Sequence, residues 1–253
     1  MTEFSSIQHI LSLARKAVDD YQMICDGDKI AVGVSGGKDS LTLLCAMKYL
    51  SRFHPAHFSV TAITLDTGLP QADLSPIKTI CDQLEVELIL EKAEIYKIVF
   101  ELRKEKNPCS LCANLRRGAL NDVAFKHGIK KIALGHHFDD AVETFFLNLY
   151  NEGRIGCFAP VTFLDRSGMT VIRPLIYVPE KEIRRFVKSE NIAVMQKYCP
   201  ADGHTNRENI KTMLAEREKI DKGFKERIFG AIERGNISGF KVCEKRKRSK
   251  GGI

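Results

Sequence analysis

Several things are missing from this chain, and each absence excludes a class of protein. No apolar run among its 253 residues approaches the roughly 20 residues that cross a bilayer. The first twenty residues, Met1 to Asp20, lack the apolar core of a secretory leader. Together these predict a cytoplasmic protein with no membrane partner. The chain has no internal repeat and no linker rich in Pro, Gly or Ser, which argues for one compact unit with additions at its ends. The boundaries read from sequence are an N-terminal helix over 1–28, a central domain over 29–200, helices packed back on it over 201–240, and a disordered basic tail over 241–253. Eight cysteines in a reducing compartment are thiols or metal ligands rather than a disulfide framework. Only one C-x-x-C occurs, so a zinc site of two such pairs is excluded.

What is present is ordinary for a globular protein: 44% apolar and 28% charged residues. The net charge of +7 suits a polyanionic partner without specifying one.

The most informative stretch is Ile30-Ala31-Val32-Gly33-Val34-Ser35-Gly36-Gly37-Lys38-Asp39-Ser40. An apolar β-type run ends in Ser-Gly-Gly, and helical spacing (Leu41, Leu44, Met47, Leu50) starts at once. Strand, glycine turn and helix N-terminus make an anion site. The glycines let a ligand approach the backbone, and the first helical N–H groups, aligned with the dipole, face it. Ser35 and Ser40 add hydroxyls and Lys38 a charge. The spacing fits neither G-x-x-x-x-G-K-[ST] nor G-x-G-x-x-G.

Along the chain, helical spacing is predicted for Ile7 to Val18, Ile77 to Leu84, Ile95 to Leu102, Leu115 to Phe125 and the stretch through Tyr150. Strands are predicted at Phe58 to Leu65, Val86 to Leu90, Lys131 to Leu134 and Val171 to Leu175, the last preceded by a turn at Asp165 to Gly168. Lys104 to Pro108 reads as a polar break. Pro179 opens a further helix, and Thr205 to Lys222 and Phe224 to Glu233 complete the set. Alternating strands and helices predict an α/β fold, a doubly wound and mostly parallel sheet with helical N- and C-terminal additions. Ligands in such sheets sit beyond the carboxyl ends of the strands. That rule brings Ser35 to Ser40, Asp66 to Gly68 and Gly135 to Asp140 onto one rim.

Asp39 follows the glycine turn and can cap its helix. In Gly135-His136-His137-Phe138-Asp139-Asp140 the adjacent histidines point apart, and a zinc site there lacks a third histidine. Cys109-Ser110-Leu111-Cys112, with a lone Cys199 downstream, admits three readings: a structural zinc site, a redox pair, or a three-cysteine iron–sulfur cluster. Cys45 and Cys81 fall on helical core positions, and Cys25 lies in a turn. Cys157 lies in the loop after the histidine helix, where it could approach the rim. Basic stretches that could track a nucleic-acid backbone are Arg103-Lys104-x-Lys106, Arg116-Arg117, Lys126 with Lys130-Lys131, Arg184-Arg185 with Lys188, and Lys245 to Lys250.

Ser35-Gly36-Gly37-x-Asp39-Ser40 resembles the PP-loop, S-G-G-x-D-S, of the N-type ATP pyrophosphatases, whose adenine nucleotide α-hydrolase-like fold is the one expected here. The resemblance implies ATP split between the α and β phosphates. The wider set is Cys109-x-x-Cys112, Leu115-Arg116-Arg117-Gly118, Gly135-His136-His137-x-Asp139-Asp140, Arg173-Pro174-Leu175, and Cys199 followed by Asn206-x-x-Asn209. It is similar to the TtcA family, which makes 2-thiocytidine in the tRNA anticodon loop. That resemblance implies an ATP site of Ser35, Gly36, Gly37, Lys38, Asp39, Ser40, Asp66, Gly135, His136 and Asp140, with Mg²⁺. It makes Asp39, Asp139 and Arg116 the candidate catalytic residues. It implies a 4Fe-4S cluster on Cys109, Cys112 and Cys199 with one open iron that binds and delivers sulfide. As partners it implies tRNA and a sulfur donor such as a cysteine desulfurase, with homodimerisation left open. The set is also similar to the TtuA-type 2-thiouridine synthases, but the two zinc-finger cysteine clusters of those enzymes are absent. The same loop would equally serve a lysidine-type ligase, or a zinc-stabilised nucleotide-binding module without catalysis.

Overall fold

The computed structural model describes residues 4–69, 72–103, 108–195 and 206–242. Cys199, Lys104, Lys106 and the basic tail therefore lie outside the described residues. The strands are β1 (Asp28–Gly33), β2 (Phe58–Asp66), β3 (Glu87–Lys92), β4 (Lys131–Ala133), β5 (Val161–Leu164) and β6 (Met169–Ile172). The α-helices are α1 (Gln8–Asp20), α2 (Lys38–Phe53), α3 (Ser75–Leu84), α4 (Pro108–Lys126), α5 (Phe138–Glu152), α6 (Glu180–Ser189), α7 (Asn206–Ile220) and α8 (Phe224–Arg234). A π-helical turn, Lys97–Leu102, precedes α4.

The six strands form one sheet in the order β3-β2-β1-β4-β6-β5. All neighbours are parallel except β5 and β6. The chain winds outward from β1 through β2 to β3, then returns to the other side of β1 as β4. The winding reverses between β1 and β4, which is where a ligand crevice opens in such sheets.

Both faces of the sheet are covered, so β1 reads as a continuous apolar run rather than an alternating one. Ile30 and Val32 face the larger core, shared with α1, α2, α5 and α6. Ala31 faces a smaller core with Ile63, Ile132 and Val123 and Ala124 of α4. Cys45 and Cys81 are buried, as their helical positions predict.

Three boundaries differ from the sequence reading. The last parallel strand stops at Ile172 rather than Leu175, because Pro174 has no N–H to continue a ladder. The stretch before it is itself a strand, β5, paired antiparallel with β6 across the turn at Asp165 to Gly168. Helix α4 spans Pro108–Lys126 and so takes in the residues before Leu115 as well as the predicted stretch. Cys109 and Cys112 therefore both stand on this long helix, about one turn apart.

The C-terminal helices pack on α5, and Phe240 beyond them is fully buried. Its ring meets Tyr21 at 6.1 Å and Phe229 at 5.5 Å, both edge-on. This joins the far end of the chain to the end of α1. Replacing Phe240 with Ala is expected to cost about 3–5 kcal/mol, read as a lower urea midpoint; an unchanged midpoint would mean the C-terminal segment adds nothing to the core.

Candidate functional site

The turn after β1 is shaped by glycine and serine. Gly36 has φ +76°, a region that other residues enter at a cost, and a side chain there would collide with Met195. Met195 also donates its backbone N–H to Gly36 O at 3.0 Å. Ser40 closes the turn from inside α2. Its Oγ accepts from Ser35 N–H at 3.1 Å, lies 3.2 Å from Ser35 Oγ and donates to Gly37 O at 2.9 Å. Gly37 caps α2 without a side-chain hydrogen bond, so the first N–H groups of α2 face outward as an anion site.

The turn after β4 presses directly on this loop. A Cβ on Gly135 would lie 3.0 Å from the Asp39 carbonyl carbon and 3.1 Å from Ser40 N. The two strand ends touch through backbone, and only glycine fits between them. At α5, His137 and Asp140 form a reciprocal capping box: His137 Nδ1 accepts from Asp140 N–H at 3.4 Å, and Asp140 Oδ2 accepts from His137 N–H at 3.0 Å. An accepting Nδ1 leaves the His137 hydrogen on Nε2, 3.6 Å from Asp39 Oδ1. His137 thus bridges the two rim carboxylates, a role hidden in the sequence because only its neighbour His136 stands out there.

A cavity of about 490 Å³ opens over these elements. Ser35, Gly37, Asp39, Ser40, Asp66, Gly135, His136 and Asp140 all line it. From the opposite side α4 contributes Ala113, Arg116, Arg117, Leu120 and Asn121, a stripe at helical spacing. Cys112 precedes Arg116 by four residues, so the C-x-x-C pair continues the same helix face. Cys109 is exposed and Cys112 half-buried, and neither is in a disulfide. Among the described residues no group of three His, Cys, Asp or Glu is placed to hold a metal ion. The third expected cysteine, Cys199, lies outside those residues.

The structure separates the two adjacent acids of α5. Asp140 lines the cavity and is met by Arg207 Nη1 at 3.4 Å. Asp139 is buried behind the wall, where its two oxygens accept from Glu180 N–H and Lys225 Nζ, both at 2.7 Å. With both oxygens engaged in joining α5 to α6 and α8, Asp139 is not brought to the cavity with the other candidates. Glu143, one turn further, is enclosed with its Oε1 unpartnered. Burial, then the Asp140 charge, raise it to about 7 against the opposing pull of Arg207 and Lys211.

Lys38 lies between two carboxylates, Asp39 at 2.9 Å and Glu180 at 3.0 Å. Burial works against its charge, but these two partners leave it above its ordinary value. Glu180 also takes Lys211 at 3.0 Å and Arg184 at 2.8 Å. Burial alone would raise this carboxyl; hydrogen bonds from Lys211 and Lys38 and their charges bring it instead to about 2. Other basic candidates are likewise paired, Lys131 with Asp28 and Lys126 with Glu91. Cys157 donates to Ala141 O at 3.2 Å, and burial pushes it to about 12, so it is a thiol at neutral pH.

Residues 8–218 match the model of the PP-loop domain family. The chain is 40% identical over 222 residues to the tRNA-cytidine(32) 2-sulfurtransferase of Dichelobacter nodosus, covering 87% of this chain and 83% of that protein. It is 36% identical over 252 residues to that of Geotalea daltonii, covering 98% and 99%. The chain belongs to the TtcA family of PP-loop proteins. The fold is also that of the U34-tRNA thiolase NcsA from Methanococcus maripaludis, solved with its [4Fe-4S] cluster, with a TM-score of 0.74 at 23% identity over 90% of this chain and 78% of that one. Membership in this family implies ATP binding. Among the described residues no helix is long and apolar enough to cross a membrane.

Because Glu180 has its lower value only when folded, its contribution is complete above pH 4.5 and is lost as the pH falls toward 2. Glu180→Gln is expected to destabilise the protein by about 3 kcal/mol at pH 7. The gap to wild type should close as both are unfolded in urea at lower pH. A gap that is constant from pH 7 to pH 3 would show that the carboxylate is not the source.

Proposed function

We propose that this TtcA-family protein is an ATP-dependent, iron–sulfur-cluster-dependent tRNA sulfurtransferase that converts a cytidine of the anticodon loop to 2-thiocytidine. One observation carries the reading: a single helix face, that of α4, joins the Cys109–Cys112 pair to the arginines walling the phosphate cavity. A nucleotide-binding module without sulfur chemistry has no use for that continuity.

The nucleotide phosphates sit on the N–H groups of the Ser35–Ser40 turn and the start of α2. Lys38 carries its charge to them and Arg116 faces them from α4. Asp39, with phosphate oxygens and water, would hold Mg²⁺, which suits a hard oxygen-only ligand set. The C2 oxygen of the cytidine attacks the α-phosphate, the α–β bridging bond breaks, and pyrophosphate leaves with its charge neutralised. The base now carries AMP on that oxygen, a far better leaving group than the free carbonyl oxygen. Replacement by sulfur expels AMP together with the oxygen.

Cys109 and Cys112, unoxidised and one helical turn apart on α4, fit two positions of a thiolate-ligated cluster; Cys199 would supply the third. When bound, a three-cysteine 4Fe-4S cluster leaves one iron open to hold the sulfide nucleophile. The sulfide comes from a separate donor such as a cysteine desulfurase.

Cys109→Ala, prepared without oxygen, is expected to lose the brown chromophore and tRNA thiolation while still binding ATP. Nucleoside mass spectrometry of treated tRNA reads the outcome, and continued formation of 2-thiocytidine by the variant would refute the cluster role.

A further inference from the structure

Behind the cavity wall three side chains form a stack that the reaction scheme leaves without a task. The His136 ring, on the wall itself, lies 4.9 Å from the Phe158 ring at 39°. The Arg173 guanidinium lies 5.0 Å from the centre of the same ring, a cation–π distance. Arg173 is itself nearly enclosed and cannot swing. Its Nη1 donates to Ala159 O at 2.5 Å and to Thr162 Oγ1 at 3.1 Å, and its backbone N–H donates to Pro160 O at 3.0 Å. His136 Nδ1 is enclosed with no partner. Arg173 Nε beside it is an enclosed N–H that already lacks a partner, and a hydrogen on His136 Nδ1 would add a second unmet donor, so the enclosed nitrogen is best left a bare lone pair. The hydrogen then belongs on Nε2.

We infer that Phe158 and Arg173 are positioning residues that hold His136 as an uncharged Nε2–H donor toward the bound nucleotide. The inference rests on the reading of this cavity as the ATP site. Burial and then the Arg173 charge lower His136 to about 4. Arg207 on α7 and neighbouring His137 push the same way, while Asp140 on α5 pulls against them. The ring therefore keeps one hydrogen and no charge across the neutral range. It donates to a phosphate or ribose oxygen, and its orientation comes from the aromatic face behind it.

The test is NMR of the full-length protein labelled with nitrogen-15 at histidine, with the His136 signals assigned by their loss in His136→Gln. Wild type is expected to show the Nε2–H tautomer at pH 7 and no protonation of His136 between pH 8 and pH 5. Arg173→Met should raise the proton affinity of His136 at least tenfold, bringing its midpoint into that window, and Arg173→Lys should leave the ring neutral. If Arg173→Met does not fold, Phe158→Leu gives the second reading, with the tautomer preference lost or the midpoint raised. A wild-type His136 that carries its hydrogen on Nδ1, or titrates with a midpoint above pH 5, would overturn the inference. So would signals unchanged in folded Arg173→Met or Phe158→Leu. None of these readouts needs ATP or tRNA, so failure here is distinguishable from failure of the thiolation reading.

Discussion

Lys38 and Glu180 are the pair on which this site turns. A half-buried lysine has to keep its charge and its place in this loop, and water is too scarce there to solvate it cheaply. Glu180, at the start of α6, supplies the counter-charge at 3.0 Å and is itself held by Lys211 from α7. Removing Glu180 would leave Lys38 with Asp39 alone and Lys211 without its carboxylate, and such networks are costly to break even when they add little net stability. The same pairing recurs at α5, with Asp139 bound to Lys225 of α8 behind the wall and Asp140 to Arg207 of α7 on the cavity. The C-terminal helices are thus electrostatically tied to the nucleotide loop as well as packed on α5.

The cavity is walled from two sides. The β1 and β4 turns touch through Gly135 and the backbone of Asp39 and Ser40, fixing the phosphate-facing wall. Helix α4 forms the opposite wall and belongs to the smaller core on the other face of the sheet. Its cavity-facing stripe begins at Ala113, directly after the cysteine pair. Met195 covers Gly36 from above and leads into the stretch that carries Cys199.

How much of this is legible in the sequence depends on the range of the interaction. The Ser35–Ser40 turn is legible because strand, turn and helix signals are local and adjacent. The parallel sheet follows from the strand–helix rhythm, while the short β5 escapes because four residues beside a turn carry little periodic signal. Pro108 reads as a break although it lies in a helix, and that hides the part of α4 before Leu115. Adjacent Asp139 and Asp140 cannot be told apart from sequence. Their difference arises only when α5 is capped through Asp140, which turns Asp139 toward α6 and α8. Glu180, Arg207 and Lys225 give no signal, since their partners lie tens of residues away along the chain. The Phe158–Arg173 backing of His136 is invisible for the same reason, though Arg173 stands out within its motif.

The central claim is that the cytidine C2 oxygen attacks the nucleotide and departs with it. A synthetic anticodon stem–loop carrying oxygen-18 at C2 of the target cytidine, incubated with ATP and the anaerobically reconstituted protein, tests this in one step. The account requires the label to appear in AMP, one atom for each thiolated base. Label-free AMP beside thiolated product would contradict it and remove adenylation of the base from the mechanism.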